Sequence, residues 1–270
     1  MTLRILCLNV RYCQGQDGPN HWPARLPHVV NVVERTQPDL IALQEVLPHQ
    51  RLDLERAFPD FGWFGQGRQR DFSGEQCPVG VKSTFEVLSS SNIWLSECPD
   101  RPGSVGWDAC LPRICTTVVL RVNEQKVVFA SIHLDHLGHK ARVESVKLVC
   151  SILNEPRTIV AGDFNCGPGS TPVEKMCERF AEGHRALGAR GPLTTFHDFH
   201  RLQSGPQIDY IFCDTDFEFN RFEVLREDGA ELCSDHYPLL ATLKPANEKP
   251  SRRVVSPGPI TPNEDPDRSA

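Results

Sequence analysis

The sequence has no long hydrophobic run. Nothing in its 270 residues approaches the roughly 20 apolar positions a membrane-spanning helix needs, so no membrane span is expected. It has no basic excess either: Lys and Arg number 29 against 35 Asp and Glu, for a net charge of −6. A protein that grips duplex DNA without regard to sequence draws affinity from many Lys and Arg contacts to phosphate, and this composition argues against that mode. Cysteine is plentiful, at eleven residues, yet no Cys-x-x-Cys pair occurs, so structural zinc held through cysteine is not expected. The stretch from Met1 to Leu8 lacks the charge-then-apolar layout of an export signal. The thiols are therefore read as reduced, mostly small core residues, and the location as cytoplasmic. Internal repeats and a mid-chain linker are also missing.

What remains is the composition of an ordinary soluble domain, 39% hydrophobic and 24% charged. Residues 1–243 read as one catalytic domain. From 244 to 270, six prolines among 27 residues with mixed charge and few core formers mark a disordered Pro-rich tail.

Within the domain, residues 3–10 alternate as a strand that ends at Asn9. A helix opens at Pro23, shows Leu26, Val29, Val30 and Val33 at helical spacing, and stops before Pro38. Residues 39–46 form a buried strand with Glu45 near its end, which completes a strand–helix–strand crossover. Residues 61–75 are rich in Gly, Arg and aromatics. The segment Gly65-Gln66-Gly67-Arg68 is only weakly like a phosphate-binding glycine loop, because no helix follows it. Strands are expected at 79–88 and 92–95, a loop at 99–107, and a hairpin of 116–122 with 126–133 across Asn123-Glu124-Gln125. A helix with Val143, Val146, Val149 and Leu153 on one face follows. Thr171-Pro172-Val173-Glu174 has the form of a capping box, with Val173, Met176, Cys177 and Phe180 as the apolar stripe behind it. The last strands are 208–212 and 237–243.

The chain is organised around residues 158–165, a β-branched run that ends in Asp163 and Asn165 and is broken by Cys166-Gly167-Pro168-Gly169. Strand alternation would point Asp163 and Asn165 the same way, with Phe164 opposite. The pair is open to two readings, a turn or a ligand-bearing strand mouth. Other polar groups also stand at strand ends: Asn9, Glu45, His133 and Asp235-His236, with Asp209 inside a further strand. Each alone has an ordinary structural explanation. Together they need one, because buried carboxylates in a group are costly unless a cation or partner neutralises them. Hard oxygen ligands suit Mg²⁺ or Mn²⁺, with the remaining coordination left to water and substrate phosphate, while a His and an Asp can activate or orient water.

Six segments, in order, resemble the motifs of the endonuclease/exonuclease/phosphatase superfamily: Leu8-Asn9-Val10, Leu43-Gln44-Glu45-Val46, Ser131-Ile132-His133-Leu134-Asp135, Gly162-Asp163-Phe164-Asn165, Ile208-Asp209-Tyr210-Ile211 and Ser234-Asp235-His236-Tyr237-Pro238. That superfamily includes pancreatic-type deoxyribonucleases, abasic-site endonucleases, inositol-phosphate phosphatases, sphingomyelinases and deadenylases. The resemblance implies an α/β fold, a four-layer sandwich of two mixed, largely antiparallel sheets flanked by helices. It implies Glu45 as main metal ligand with Asp235 and Asn9 near the ion. His236 would contact the scissile phosphate or act as base, oriented by Asp209; Asp163 would position water; Asn165 and His133 would hold phosphate oxygens. Glu75 falls where some members place a carboxylate that orients the second histidine. The segments Asp17 to Arg25, Trp94 to Glu97, Pro112 to Thr116 and Leu134-Asp135-His136 are similar to those of a bacterial-type branch, and Arg113 is a candidate phosphate contact or a structural arginine.

The leading functional expectation is a Mg²⁺- or Mn²⁺-dependent phosphodiesterase that favours a small or single-stranded phosphoester. A phosphomonoesterase of a sugar, lipid or inositol phosphate is the alternative. A catalytically dead binding module and a zinc hydrolase built on His133, Asp135, His136 and His139 are readings from other classes. The expected partner is the phosphoester substrate, including nucleic acid as a candidate; no protein partner follows from the sequence.

Overall fold

In the computed structural model, residues 1–13, 17–188, 193–202 and 204–246 are described, and the alternation along the first strand, β1 (Leu3–Asn9), sets the plan. Leu3, Ile5 and Cys7 face one core, whereas Leu6 and Leu8 face another. The chain continues through α1 (Trp22–Thr36), β2 (Leu40–Gln44), α2 (Pro48–Ala57), β3 (Phe61–Phe64), β4 (Val79–Lys82), β5 (Glu86–Trp94), β6 (Ile114–Val122) and β7 (Gln125–His133). It then forms α3 (His139–Ile152), β8 (Thr158–Asp163), α4 (Thr171–Cys177), β9 (Ala181–Glu182), α5 (Gly183–Ala186), β10 (Asp209–Cys213), β11 (Phe217–Val224) and β12 (Leu239–Pro245).

Two six-stranded sheets result, ordered β11-β12-β1-β2-β4-β3 and β5-β6-β7-β8-β10-β9. Among the described residues only β1–β2 and β7–β8 pair in parallel, so both sheets are mixed and largely antiparallel. Between them lies a core of inward residues from both, including Ile5, Leu40, Phe129, Ile159 and Ile211. The outer face of the first sheet packs on α1 and α2 through Trp22, Val29, Val33 and Leu54. The outer face of the second packs on α3 and α4 through Val146, Val149, Val173 and Met176. Each fully buried aliphatic or aromatic side chain contributes roughly 1.5–3 kcal/mol. This is the four-layer α/β sandwich the resemblance implied. Each of the eleven cysteines is free.

The expected hairpin forms, its two-residue turn at Asn123 and Glu124 with φ of 46° and 61°, the left-handed pair that suits strand twist. The crossover β1–α1–β2 also forms, with β1 and β2 parallel. Four local expectations change. The break between the fourth and fifth strands falls at residues 83–85, and Ser89-Ser90-Ser91 stay in β5 because Val118 and its neighbours supply a full antiparallel partner. Helix α4 starts at Thr171 with Ser170 before it and no side-chain cap, so Thr171 is inside the helix and Glu174 pairs with Arg185 instead (2.6 Å). Strands β3 and β11 and helix α2 were not anticipated. Strand β12 runs to Pro245, past Leu243, and the expected Pro-rich tail, from 247 on, lies outside the described residues.

Gly162 is required where β8 passes β7: with φ of +158°, a Cβ there would collide with the carbonyl oxygen of Ile132.

Candidate active site

The parity that fills the inter-sheet core also gathers the polar groups at one end of it. On β7, Val127 and Phe129 point inward, so Ser131 and His133 follow them; on β8, Ile159 and Ala161 are followed by Asp163; on β10, Asp209 precedes Ile211 and Cys213. Register then aligns them. His133 pairs with Asp163 across β7–β8, and Asp163 pairs with Asp209 across β8–β10. Three ionisable side chains thus share one rung of three adjacent strands. Asn9, at the end of β1, reaches across from the first sheet: its Nδ2 donates to Asp163 Oδ2 (3.1 Å) and to Glu45 Oε1 (3.0 Å).

Just beyond the strands the chain turns sharply. Arg11, Glu45 and Asn165 have φ of 58°, 62° and 50°, a left-handed conformation that costs a non-glycine residue of order 1–3 kcal/mol. Side chain–backbone bonds hold each turn. The Arg11 N–H donates to Asn9 Oδ1 (2.9 Å), the Tyr12 N–H to Glu45 Oε2 (3.0 Å) and the Asn165 N–H to Asp163 Oδ1 (2.8 Å). Asn165 therefore arrives by a turn and not by strand alternation, since β8 ends at Asp163.

His236 Nδ1 lies 2.9 Å from Asp209 Oδ2, and its Nε2 faces Asp163 Oδ2 at 3.9 Å. The same Asp209 oxygen accepts from Thr195 Oγ1 (2.6 Å), while Thr195 Oγ1 accepts the N–H groups of Ile208 and Asp209. Thr195 reaches this position because Phe196 bridges to His236 and the Tyr237 N–H donates to the Thr195 carbonyl (2.7 Å). Thr195 was not foreseen; its sequence signal is one of two adjacent threonines in a loop, which carries no periodicity.

Asp235 is buried and meets Arg11 Nη1 only at 3.7 Å. Both loops are tied down by Arg25, itself 2% exposed, which donates to the carbonyls of Asn20 (2.7 Å), Cys233 (3.0 Å), Arg11 (3.1 Å) and Val10.

At the other end of the rung, Asn165 Nδ2 donates to His133 Nε2 (3.0 Å) and to the Leu134 carbonyl (3.0 Å). Both amide hydrogens are engaged within the protein, so a phosphate oxygen would have to compete for one. No hydrogen bond joins Glu75 to His133 among the described residues. Gly67–Phe72 and Arg68–Glu75 backbone bonds fold residues 67–75 back on themselves, and Glu75 grips the Arg68 guanidinium at 2.7 and 2.8 Å. Arg113 is buried at 5% exposure, 3.5 Å from Asp135 Oδ2, and donates to His136 Nδ1 (3.0 Å). Arg68, Glu75, Arg113 and His133 border one small cavity. His133 and His139 do not join Asp135 and His136 in a common ligand cluster among the described residues, which breaks up the four-residue zinc set. A groove of about 970 Å³ beside β11 and β12 shares no residue with this constellation.

The electrostatics follow from burial and sign. Burial lifts the Asp163 carboxyl, and the Asp209 charge directly across the ladder lifts it further, to about 7. Burial alone would push His236 down, but the carboxylates of Asp209, Asp235 and Asp163 outweigh it and raise the imidazole to about 10. His133 is lowered by burial and by the cations Arg113 and Arg68, which keeps it neutral. Asp235 is raised by burial, and the Glu45 charge adds to that. Glu45, Asp235, Asp163 and Asp209 outnumber the cations beside them, and Asp209 Oδ1 has no hydrogen-bond partner among the described residues. An all-oxygen donor set with excess buried negative charge fits a hard divalent cation.

A model of the endonuclease/exonuclease/phosphatase family matches residues 6–236. The chain belongs to that family. Its members are metal-dependent phosphoester hydrolases, and this chain is an enzyme of that class. Among solved structures, an endonuclease/exonuclease/phosphatase from Bacteroides vulgatus is similar at 31% identity, covering 91% of this chain and 99% of its own, with a TM-score of 0.84. A mannosyl-6-phosphatase from Bacteroides thetaiotaomicron is 30% identical over 90% of this chain and 99% of its own, with a TM-score of 0.79. D. rerio TDP2 complexed with a single-strand DNA product shares the fold at 16% identity, covering 90% of this chain and 99% of its own (TM-score 0.71). No curated protein matches the chain. No helix among the described residues is long and apolar enough to cross a membrane.

Proposed function

We propose that this enzyme is a Mg²⁺- or Mn²⁺-dependent phosphomonoesterase of a small phosphorylated substrate, with sugar phosphates as the class to test first. The observation that carries this reading is the pair of buried guanidinium groups, Arg68 and Arg113, on the same cavity as His133. A terminal phosphate carries about −1.5 to −2 charge near neutral pH, more than the single charge of a diester, and Arg is suited to planar, two-point recognition of its oxygens. The similarity to a mannosyl-6-phosphatase supports the same choice. The phosphodiester reading that led from the sequence ranks second, because a diester, with a single charge, draws less from the Arg68 and Arg113 guanidinium groups beside their Glu75 and Asp135 partners.

In this reading Glu45, Asp235 and Asn9 would hold the ion, which would supply charge compensation to a phosphoryl oxygen. Asp163, raised toward neutrality, orients the attacking water and accepts its proton. His236 stays protonated and donates from Nε2 to the phosphoryl group, while Asp209 stabilises the imidazolium and fixes its tautomer. Neutral His133 and Asn165 meet a second phosphate oxygen once Asn165 releases one internal bond. Glu75 keeps Arg68 posed. Residues 1–243 act as one catalytic domain, and the free thiols support a cytoplasmic location.

The test measures kcat/KM with Mg²⁺ and Mn²⁺ on hexose 6-phosphates, simple phosphodiesters and short single-stranded oligonucleotides. Faster turnover of the monoesters is expected. A diester or oligonucleotide preferred by tenfold or more overturns the monoester assignment.

A further inference from the structure

Away from the acidic rung, Cys110, Asp135 and His136 bring a thiol, a carboxylate and an imidazole together, with one ligating atom from each all within 4.8 Å of one another. Cys110 Sγ lies 3.3 Å from Asp135 Oδ2 and 3.7 Å from His136 Nδ1. In a tetrahedral zinc site, with Zn–S near 2.3 Å and Zn–N or Zn–O near 2.0–2.1 Å, neighbouring ligand atoms stand about 3.3–3.6 Å apart. The two edges that meet at the thiol already have close to the dimensions of one face of that tetrahedron.

The two Asp135 oxygens are treated differently. Oδ1 accepts the N–H groups of Leu137 (3.0 Å) and Gly138 (2.7 Å), which fixes the carboxylate. Oδ2 has only long contacts, from the Cys110 N–H (3.3 Å), Cys110 Sγ (3.3 Å) and Arg113 Nε (3.5 Å). A buried, anchored carboxylate thus offers one weakly engaged oxygen toward a thiol and an imidazole. Cys110 and His136 are exposed, which gives an ion a way in.

We infer that Cys110, Asp135 and His136 form a second metal site, for a zinc-class divalent cation, in which Arg113 is the group the ion displaces. Thiolate and imidazole favour Zn²⁺ over Mg²⁺, so this site and the all-oxygen one select different ions. Loss of the thiol proton leaves thiolate and carboxylate to balance the ion's two charges. The ion takes His136 Nδ1, the atom to which Arg113 now donates, and the guanidinium swings off it. A water fills the fourth position. The inference does not depend on which phosphoester is the substrate.

The test titrates Co²⁺, as a spectroscopic stand-in for Zn²⁺, into the full chain at saturating Mg²⁺. A cobalt–thiolate bond gives a near-ultraviolet charge-transfer band that an oxygen and nitrogen centre cannot give. The expected result is saturation at one equivalent, with the band bleached by one equivalent of Zn²⁺. Cys110→Ser should abolish the band, and Cys98→Ser, which alters the other exposed thiol, should leave it. His136→Gln should weaken Co²⁺ binding by tenfold or more, and Arg113→Gln should tighten it by removing the competitor. No band at one equivalent, a band that survives Cys110→Ser, or one lost in Cys98→Ser overturns the site. Weaker binding in Arg113→Gln overturns the displacement.

Discussion

The two sheets contribute their polar groups by different means. In the second sheet, His133, Asp163 and Asp209 lie inside regular strands, on one rung, each at most 4% exposed. In the first sheet, Glu45 and Arg11 sit beyond strand ends, in left-handed turns held by side chain–backbone bonds. The proton-handling groups therefore inherit the rigidity of a hydrogen-bonded ladder. Of the groups assigned to the cation, Glu45 and Asp235 inherit the compliance of turns while Asn9 closes β1 beside them, and an ion that exchanges water and substrate oxygens needs such compliance. Arg25 limits it at the Arg11 turn, which it ties to the Cys233 carbonyl before Asp235 through one buried side chain.

Four measurements would break or sharpen that contrast. The largest effect is expected at the imidazole that the ladder's Asp209 holds: His236→Ala should lower kcat/KM by roughly 10²–10⁴-fold, the span of a lost acid–base group. Asp209→Ala should add little on top of it, because the two act as one unit; strictly additive losses in the double variant would show that they do not. In the turn half, Glu45→Gln should cost about a hundredfold or more, with several kcal/mol of charge stabilisation lost at about 1.4 kcal/mol per tenfold, and chelation should mimic it in the natural chain. Full activity in excess chelator would remove the metal from the mechanism. Arg25→Met should unfold in denaturant about 3 kcal/mol more easily, since it strands several buried carbonyls, while a change under about 1 kcal/mol would mean the turns hold themselves. The smallest effect is expected from Thr195→Val, about fivefold in kcat/KM for the lost donation to Asp209, worth roughly 1 kcal/mol, with the N–H groups of Ile208 and Asp209 also losing their acceptor. Thr195→Ser should restore it.

A pH profile separates the two histidines. His236 is raised in the folded state from 6.5 to about 10, so its stabilising contribution is present below 6.5 and is lost as pH climbs toward 10. His133 is lowered, so its contribution is present above 6.5 and is lost as pH falls below that value through its depressed folded pKa. Melting temperature of the chelated protein should fall on the alkaline side, and Asp209→Asn should flatten that fall. An unchanged alkaline slope in that variant would contradict the pairing.

Much of this was readable from the residues, and the exceptions have physical causes. Asp163 and Glu45 ended recognisable strands because β8 and β2 are buried on both faces and show long apolar runs. Helix α2 escaped notice because its inward positions are Gln50 and Leu54, with no apolar stripe to count. Strand β11, at an edge, exposes Glu218, Asn220 and Arg221, and its pattern is broken by a register shift between Phe219 and Arg221. Arg68 and Thr195 lie on irregular backbone, where spacing says nothing about direction. Glu75 was placed by family likeness alone, and its nearest cation, only seven residues away, took it instead.

The shared rung has a practical consequence for anyone varying this chain by insertion or deletion. A residue added at the Asn123–Glu124 turn lengthens a loop and leaves every pairing below it intact. A residue added inside β8 slides Asp163 off its neighbours on both sides at once and turns it to the helix-covered face, because side chains in a strand alternate with a period of two. Point substitutions can retune each of the three groups separately, but length changes can only keep or lose them as a set.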